Sequence, residues 1–183
     1  DMKNKLIELH YLVEKGDIQR ATEQLTVYCD ELEKIDENNY CNNQIVGSVL
    51  RIKLGVAKSD KIKIDADIRI PKVMQLEHGD IGVLYGNLLD NAIEACRKVE
   101  SDKRFIRIEN KFTEGKLLLI VENSKTGERN ESLKTTKRDN YSHGRGIHSV
   151  RKVVEKYNGT VTFTDKGDIF EVSVMLYGIE AKK

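Results

Sequence analysis

The 183-residue chain has no tryptophan, one proline and three cysteines. Cys29, Cys41 and Cys96 are odd in number and nowhere spaced C-x-x-C, which excludes a disulfide framework and a zinc knuckle and leaves three thiols suited to a reducing cytoplasm. Neither charge sign prevails: 31 Lys and Arg stand against 30 Asp and Glu, a formal net of +1. No global basic field is available for a nucleic acid or an anionic membrane, so no nucleic-acid partner is expected and any anion site must be local. No apolar run approaches the roughly 18 residues of a membrane span, and no signal peptide opens the chain. The first residue is Asp1 and not Met, which reads as an excised piece of a longer protein. What is present is 39% hydrophobic residues, enough for a core. The 33% charged and 6% aromatic residues point to long helices with solvated faces.

Apolar residues in the first sixty positions step by three and four, the helical period. Met2, Leu6, Leu9 and Val13 form one stripe, Ile18, Ala21, Leu25, Tyr28, Leu32 and Ile35 a second, and Ile45, Val49, Ile52 and Val56 a third. Gly16-Asp17 divides the first two, with Asp17 placed to cap the following helix. Such narrow stripes need a partner, either as a helical hairpin that dimerises or as a three-helix bundle packed on the rest of the chain.

The period changes near Ser59. Ile62, Ile64, Ala66, Ile68 and Ile70 alternate with polar residues up to Pro71, as in a half-buried strand. A helix over about 80–99 follows, then alternation through Ile106, Ile108 and Phe112, and a continuous apolar strand from Leu117 to Val121. A helix over about 146–157 ends at Asn158-Gly159, and two strands carry Val161 and Phe163, then Phe170, Val172, Val174 and Leu176, across a turn at Lys166-Gly167-Asp168. Helices and strands do not alternate one for one, so the expected class is α+β, a two-layer sandwich and not a doubly wound parallel sheet. Two domains are expected, 1–59 and 60–183.

On helix 80–99 the residues Asn87, Asp90, Asn91, Glu94 and Lys98 gather on roughly a third of the circumference at about 100° per residue. Amides and carboxylates on one stripe suit a hydrated magnesium ion bridging to phosphates. The segment Asn87-Leu88-Leu89-Asp90-Asn91-Ala92-Ile93-Glu94-Ala95 closely resembles the N box of the gyrase/Hsp90/histidine-kinase/MutL (GHKL) ATPases, and of their histidine-kinase branch in particular. The resemblance implies a Bergerat-type ATP-binding fold, ATP and Mg2+ as cofactors, Asn91 as the magnesium ligand and Asn87 assisting near the phosphates. In the hydrolysing members a Glu stands at the Asn87 position as general base. An amide takes no proton at neutral pH, so Asn87 points to phosphoryl transfer to another acceptor.

From Asn123 to His143 only Leu133 and Tyr141 are large and apolar, while Lys125, Arg129, Lys134, Lys137 and Arg138 supply positive charge, with Arg145 just beyond. Such a segment reads as a lid over a polyphosphate. His143-Gly144-Arg145-Gly146-Ile147 opens the next helix, where glycines let backbone amides approach phosphate oxygens. It resembles the second glycine box of the family. The first, usually D-x-G-x-G with its Asp accepting from the adenine amino group, is here Asn123-Ser124-Lys125-Thr126-Gly127. Asn123 still offers a carbonyl oxygen, and Lys125 replaces the first glycine. That departure is similar to the agr-type, peptide-pheromone receptor kinases.

In that branch the phosphoacceptor lies in an H-D-x-x-N-like motif. Asp1-Met2-Lys3-Asn4 matches it from its second position. The resemblance implies an acceptor His immediately before Asp1, Asp1 assisting the imidazole, and Asn4 associated with dephosphorylation of the regulator. The expected protein is the cytoplasmic part of a sensor histidine kinase: a homodimer through 1–59, passing the γ-phosphoryl of ATP to histidine and then to a response regulator, and reaching the membrane only through an upstream sensor region. Two alternatives stand beside it, a degenerate GHKL scaffold that binds no nucleotide and a GHKL ATP hydrolase.

Overall fold

The computed structural model describes residues 2–34, 40–127 and 144–182. The chain divides into two compact units, Asp1–Asn39 and Tyr40–Lys183. In the first, α1 (Met2–Glu14) and α2 (Ile18–Lys34) are separated at Gly16, whose φ of 73° the turn requires. Asp17 Oδ1 accepts from the Arg20 N–H at 3.3 Å, the expected cap. The Tyr28 hydroxyl donates to Glu8 at 2.6 Å and ties the two helices together. Of the two stripes, Ala21 is buried, whereas Leu6, Val13, Ile18 and Leu25 are each more than half exposed.

The second unit is an α+β sandwich. Helix α3 (Gln44–Ser59) leads into β1 (Lys63–Arg69), β2 (Val73–Met74), α4 (His78–Arg97), β3 (Phe105–Thr113), β4 (Lys116–Ser124), α5 (Gly144–Lys156), β5 (Thr160–Asp165), β6 (Ile169–Leu176) and β7 (Ala181–Lys182). Five strands form one mixed sheet in the order β1-β3-β4-β6-β5, and β2 pairs separately with β7. Only β1 and β3 run parallel within the large sheet, and the remaining pairs are antiparallel. This is the two-layer class expected from the unequal alternation of helices and strands.

One face of the sheet carries Ile106, Ile108, Leu117, Leu119, Val121, Val172 and Val174, all buried. The other carries a row of cross-strand ion pairs, Asp65 with Arg107, Arg107 with Glu122, and Lys166 with both Glu122 and Glu171. Period-two alternation thus sends the apolar residues to the helices and the charges to water. Within the core a polar pair is retained: the Asn110 amide donates to the Tyr85 hydroxyl, and burial pushes the Tyr85 phenol up from its ordinary value.

Helix α3 packs on α4 and β1, so the compact unit begins at Tyr40, twenty residues before the change of sequence period. Its third expected stripe is displaced. Val46, Leu50, Leu54 and Ala57 are buried, while Ile52 is 67% exposed and Val56 is also exposed. The helix is apolar on two adjacent lines, and contact with α4 selects one of them. Asn43 caps it, accepting from the Val46 N–H at 3.1 Å and donating to the Pro71 carbonyl at 3.2 Å.

At the end of α5 the left-handed residue is Asn158, with φ of 50°. Gly159 serves a different need: a Cβ there would lie 2.3 Å from the Met175 carbonyl oxygen on β6. Gly159→Ala is therefore expected to lower stability by about 1–3 kcal/mol through overpacking against backbone, read as a fall in the urea midpoint, whereas Asn158→Gly leaves it within about 0.5 kcal/mol.

Candidate functional site

Helix α4 lies across the apolar face of the sheet and buries Ile81, Leu84, Tyr85, Leu88, Leu89, Ala92, Ile93 and Cys96. The cysteine thiol donates to the Phe105 carbonyl at 3.2 Å and lies 3.3 Å from Ser124 Oγ, which accepts from the Phe105 N–H at 3.1 Å. This knot joins the end of α4 to the end of β4, beside Asn123. Burial pushes the Cys96 thiol up, so it stays protonated and serves as a donor.

Between α4, the start of α5 and the ends of β4, β5 and β6 lies a cleft of about 410 Å³. Phe163, Phe170, Val121 and Val172 form its apolar floor, and Asn91, Asn123, Lys125, Asp165, Gly146 and Ile147 are among its lining. Asn123 stands opposite Phe170 in the sheet, and Phe170 stands opposite Asp165, so the three form one cross-strand row on the helix-facing side. Buried Asn123 donates to the Ser124 carbonyl at 2.9 Å.

Of the residues singled out in the sequence, the structure brings Asn91, Asn123, Gly146 and Ile147 into this cleft. Asn87 stands next to it: its amide donates to the Val83 carbonyl at 2.8 Å, and a Cβ on Gly146 would lie 2.9 Å from its Oδ1. The first turn of α5 can thus approach α4 closely because residue 146 has no side chain. Asp90 points elsewhere. Both its oxygens are taken at 2.7 Å by Lys53 of α3. Gly127 abuts the Asp168 side chain and does not line the cleft. Gly144 and Arg145 lie in the first turn of α5, and Asn4 in the first turn of α1. Asp1 and Lys137, with the rest of the expected lid from 128 to 143, fall outside the described residues.

Sequence reasoning missed Asp165. Its signal was an acid at an inward position of the Val161-Phe163-Asp165 alternation. Its partner is Lys125, at 3.2 Å.

The GHKL domain family matches residues 76–177, which span α4, the cleft floor and α5. The chain belongs to that family. A probable C4-dicarboxylate sensor kinase of Bacillus subtilis (strain 168) is 23% identical over 193 residues, covering 98% of this chain and 36% of its own. The chain therefore spans about a third of that relative. Among solved structures, the catalytic domain of histidine kinase ThkA superposes with a TM-score of 0.56 at 18% identity, covering 74% of this chain and 91% of its own. Full-length ShkA in complex with AMPPNP gives 0.57 at 13%, covering 76% and 31%. At these identities the structures establish a shared fold.

In this GHKL unit a second clamp fixes α4 to α5. Lys156 reaches Asp80 and Glu77, both at 2.7 Å. The Tyr157 hydroxyl donates to Asp80 at 2.8 Å and accepts from the Glu77 N–H at 3.0 Å. Lys156 above all, and then Tyr157, hold the Asp80 carboxyl below its usual range. Its contribution to stability is thus complete above about 3.9, the unfolded value, and is lost as pH falls through the lower folded value. The expected outcome is that Asp80→Asn lowers the melting temperature at pH 7, and that the gap between wild type and variant closes in thermal scans below about pH 4.

Proposed function

We propose that the chain is the cytoplasmic phosphotransfer and catalytic region of a sensor histidine kinase, binding Mg-ATP in the α4–sheet cleft. The observation that carries the reading is the convergence of Asn91, Asn123 and the glycine-containing first turn of α5 on one apolar-floored cleft. A volume of about 410 Å³ falls within the range of small-molecule pockets. The complex of ShkA with AMPPNP, an ATP analogue, supports the same ligand class.

The donor set fits the group. Among the described residues no cluster of three or more His, Cys, Asp or Glu could hold a metal alone, and magnesium characteristically keeps waters and arrives with phosphates. Asn91 would supply its one side-chain oxygen from the protein. When bound, Mg-ATP supplies the γ-phosphoryl group for transfer. The backbone amides at Gly144, Arg145 and Gly146 would receive phosphate oxygens at the positive end of α5, with the Arg145 and Lys137 side chains adding charge-assisted bonds. Asn87 carries no carboxylate to accept a proton from water, which favours transfer over hydrolysis.

The acceptor in this reading is a histidine just before Asp1, with Asp1 orienting it, Asn4 one turn on, and an aspartate of a response regulator as the next recipient. Homodimerisation through 1–59 is supported by Leu6, Val13, Ile18 and Leu25 of α1 and α2, each more than half exposed. The agr-type assignment rests on the Asn123-to-Gly127 segment. No described helix is long and apolar enough to cross a membrane; an upstream sensor region as the route to the membrane is part of the same proposal.

Millimolar Mg-ADP or Mg-ATP is expected to raise the melting temperature by several degrees, as ligand at about 100 times its Kd stabilises by about 2.7 kcal/mol. Asn91→Ala should abolish the shift without altering the ligand-free melting temperature by more than a degree or two, because the side chain is exposed. Absence of any shift in the wild type would leave the scaffold reading in its place.

A further inference from the structure

We propose that the Lys125–Asp165 ion pair is the base-holding element of the cleft, hydrogen-bonding the edge of a purine. The inference rests on the nucleotide reading above and names a base-contacting pair within it. Both side chains line the cleft, yet they are only 15% and 7% exposed. Lys125 Nζ lies 3.2 Å from Asp165 Oδ2 and 3.3 Å from the Thr126 carbonyl. The other carboxylate oxygen accepts from the Gly167 N–H at 2.9 Å, and the Lys125 N–H donates to the Asp168 carbonyl at 2.8 Å. Each group is thus held from two directions, and the pair bridges the end of β4 to the β5–β6 turn.

A pair taken this far out of water incurs a desolvation cost that a neutral packing residue would avoid. Its charge is internally cancelled, so it is a poor receiver for phosphate, which Asp165 would repel. A neutral ligand group suits it better. A cationic donor beside an anionic acceptor matches the edge of a purine, where a donor and an acceptor are adjacent: amino group and ring nitrogen in adenine, ring N–H and carbonyl in guanine. The neighbouring floor suits the same ring. Phe163 and Phe170 lie near parallel, 25° apart with centroids at 6.4 Å. Asn123, on the far side of Phe170 in the same row, adds a second polar group at the base end.

The test is calorimetric titration of Mg-ADP, Mg-GDP and base-free magnesium pyrophosphate into wild type, Lys125→Met, Asp165→Asn and the double variant. The double variant leaves no buried charge unpaired and guards against a fold defect in either single one. The expected result is a loss of roughly tenfold or more in affinity for both nucleotides in all three variants, the scale of losing a polar base contact, with pyrophosphate affinity unchanged. Unchanged affinity for both nucleotides, or equal weakening of all three ligands, would overturn the inference and leave the cleft a nucleotide site. Failure of wild type to bind either nucleotide would overturn the nucleotide reading itself, and this inference with it.

Discussion

Helix α4 has one rotational setting in which its apolar residues all find cover, and the candidate site follows from that setting. Leu88 and Ala92 face the cleft and the sheet, while Leu84, Tyr85, Leu89, Ile93 and Cys96 complete an arc of about half the circumference. Each large side chain buried there contributes about 1.5–3 kcal/mol relative to exposure. A turn of the helix about its axis would lift several of them into water at once. With the arc buried, Asn91 opens onto the cleft, Asn87 meets the first turn of α5, and Asp90 meets Lys53. The polar residues are thus positioned by the packing of their apolar neighbours more than by their own bonds.

The ends of the same helix are fixed by polar contacts of two kinds. At its start, Asp80 gathers Lys156 and Tyr157 from the end of α5; at its finish, Cys96 gathers Phe105 and Ser124 from the sheet. These contacts hold α5 and β4 against α4 from opposite directions, and the cleft is the space left between them. The ion-pair row on the outer face has a different character. Lys166 first and Arg107 after it hold the Glu122 carboxyl below its usual range, but exposed pairs of this type contribute little individually. Their effect is to keep that face wet, so that α4 and α5 cover only the other.

Much of this was legible in the sequence because its periods are clear. The alternations of β1, β3 and β6 and the apolar run of β4 mark strands, and the N box places a polar stripe on α4. The order of strands was not legible, since the parallel pairing of β1 with β3 depends on α4 crossing between them. Nor was the face of α3, where two apolar lines compete until α4 selects Val46, Leu50 and Leu54. Asp90 and Asn91 are neighbours on the chain yet lie about 100° apart around the helix. One stripe cannot serve both, so α3 takes the first and the cleft the second. Asp165 was missed for a related reason: its partner Lys125 is forty residues away, and only the β4-to-β6-to-β5 pairing brings them together.

The central claim is that a nucleotide occupies the space bounded by Asn91, Asn123 and the first turn of α5. The most direct measurement is a nitrogen-15 NMR titration with Mg-ADP, following the side-chain amides of Asn91, Asn123, Asn110 and Asn43 and the backbone amides of Gly146 and Ile147. Saturable shifts at Asn91, Asn123, Gly146 and Ile147, with Asn110 in the core and Asn43 at the α3 cap unmoved, are the predicted result. Shifts confined to other residues, or none at millimolar nucleotide, would contradict it.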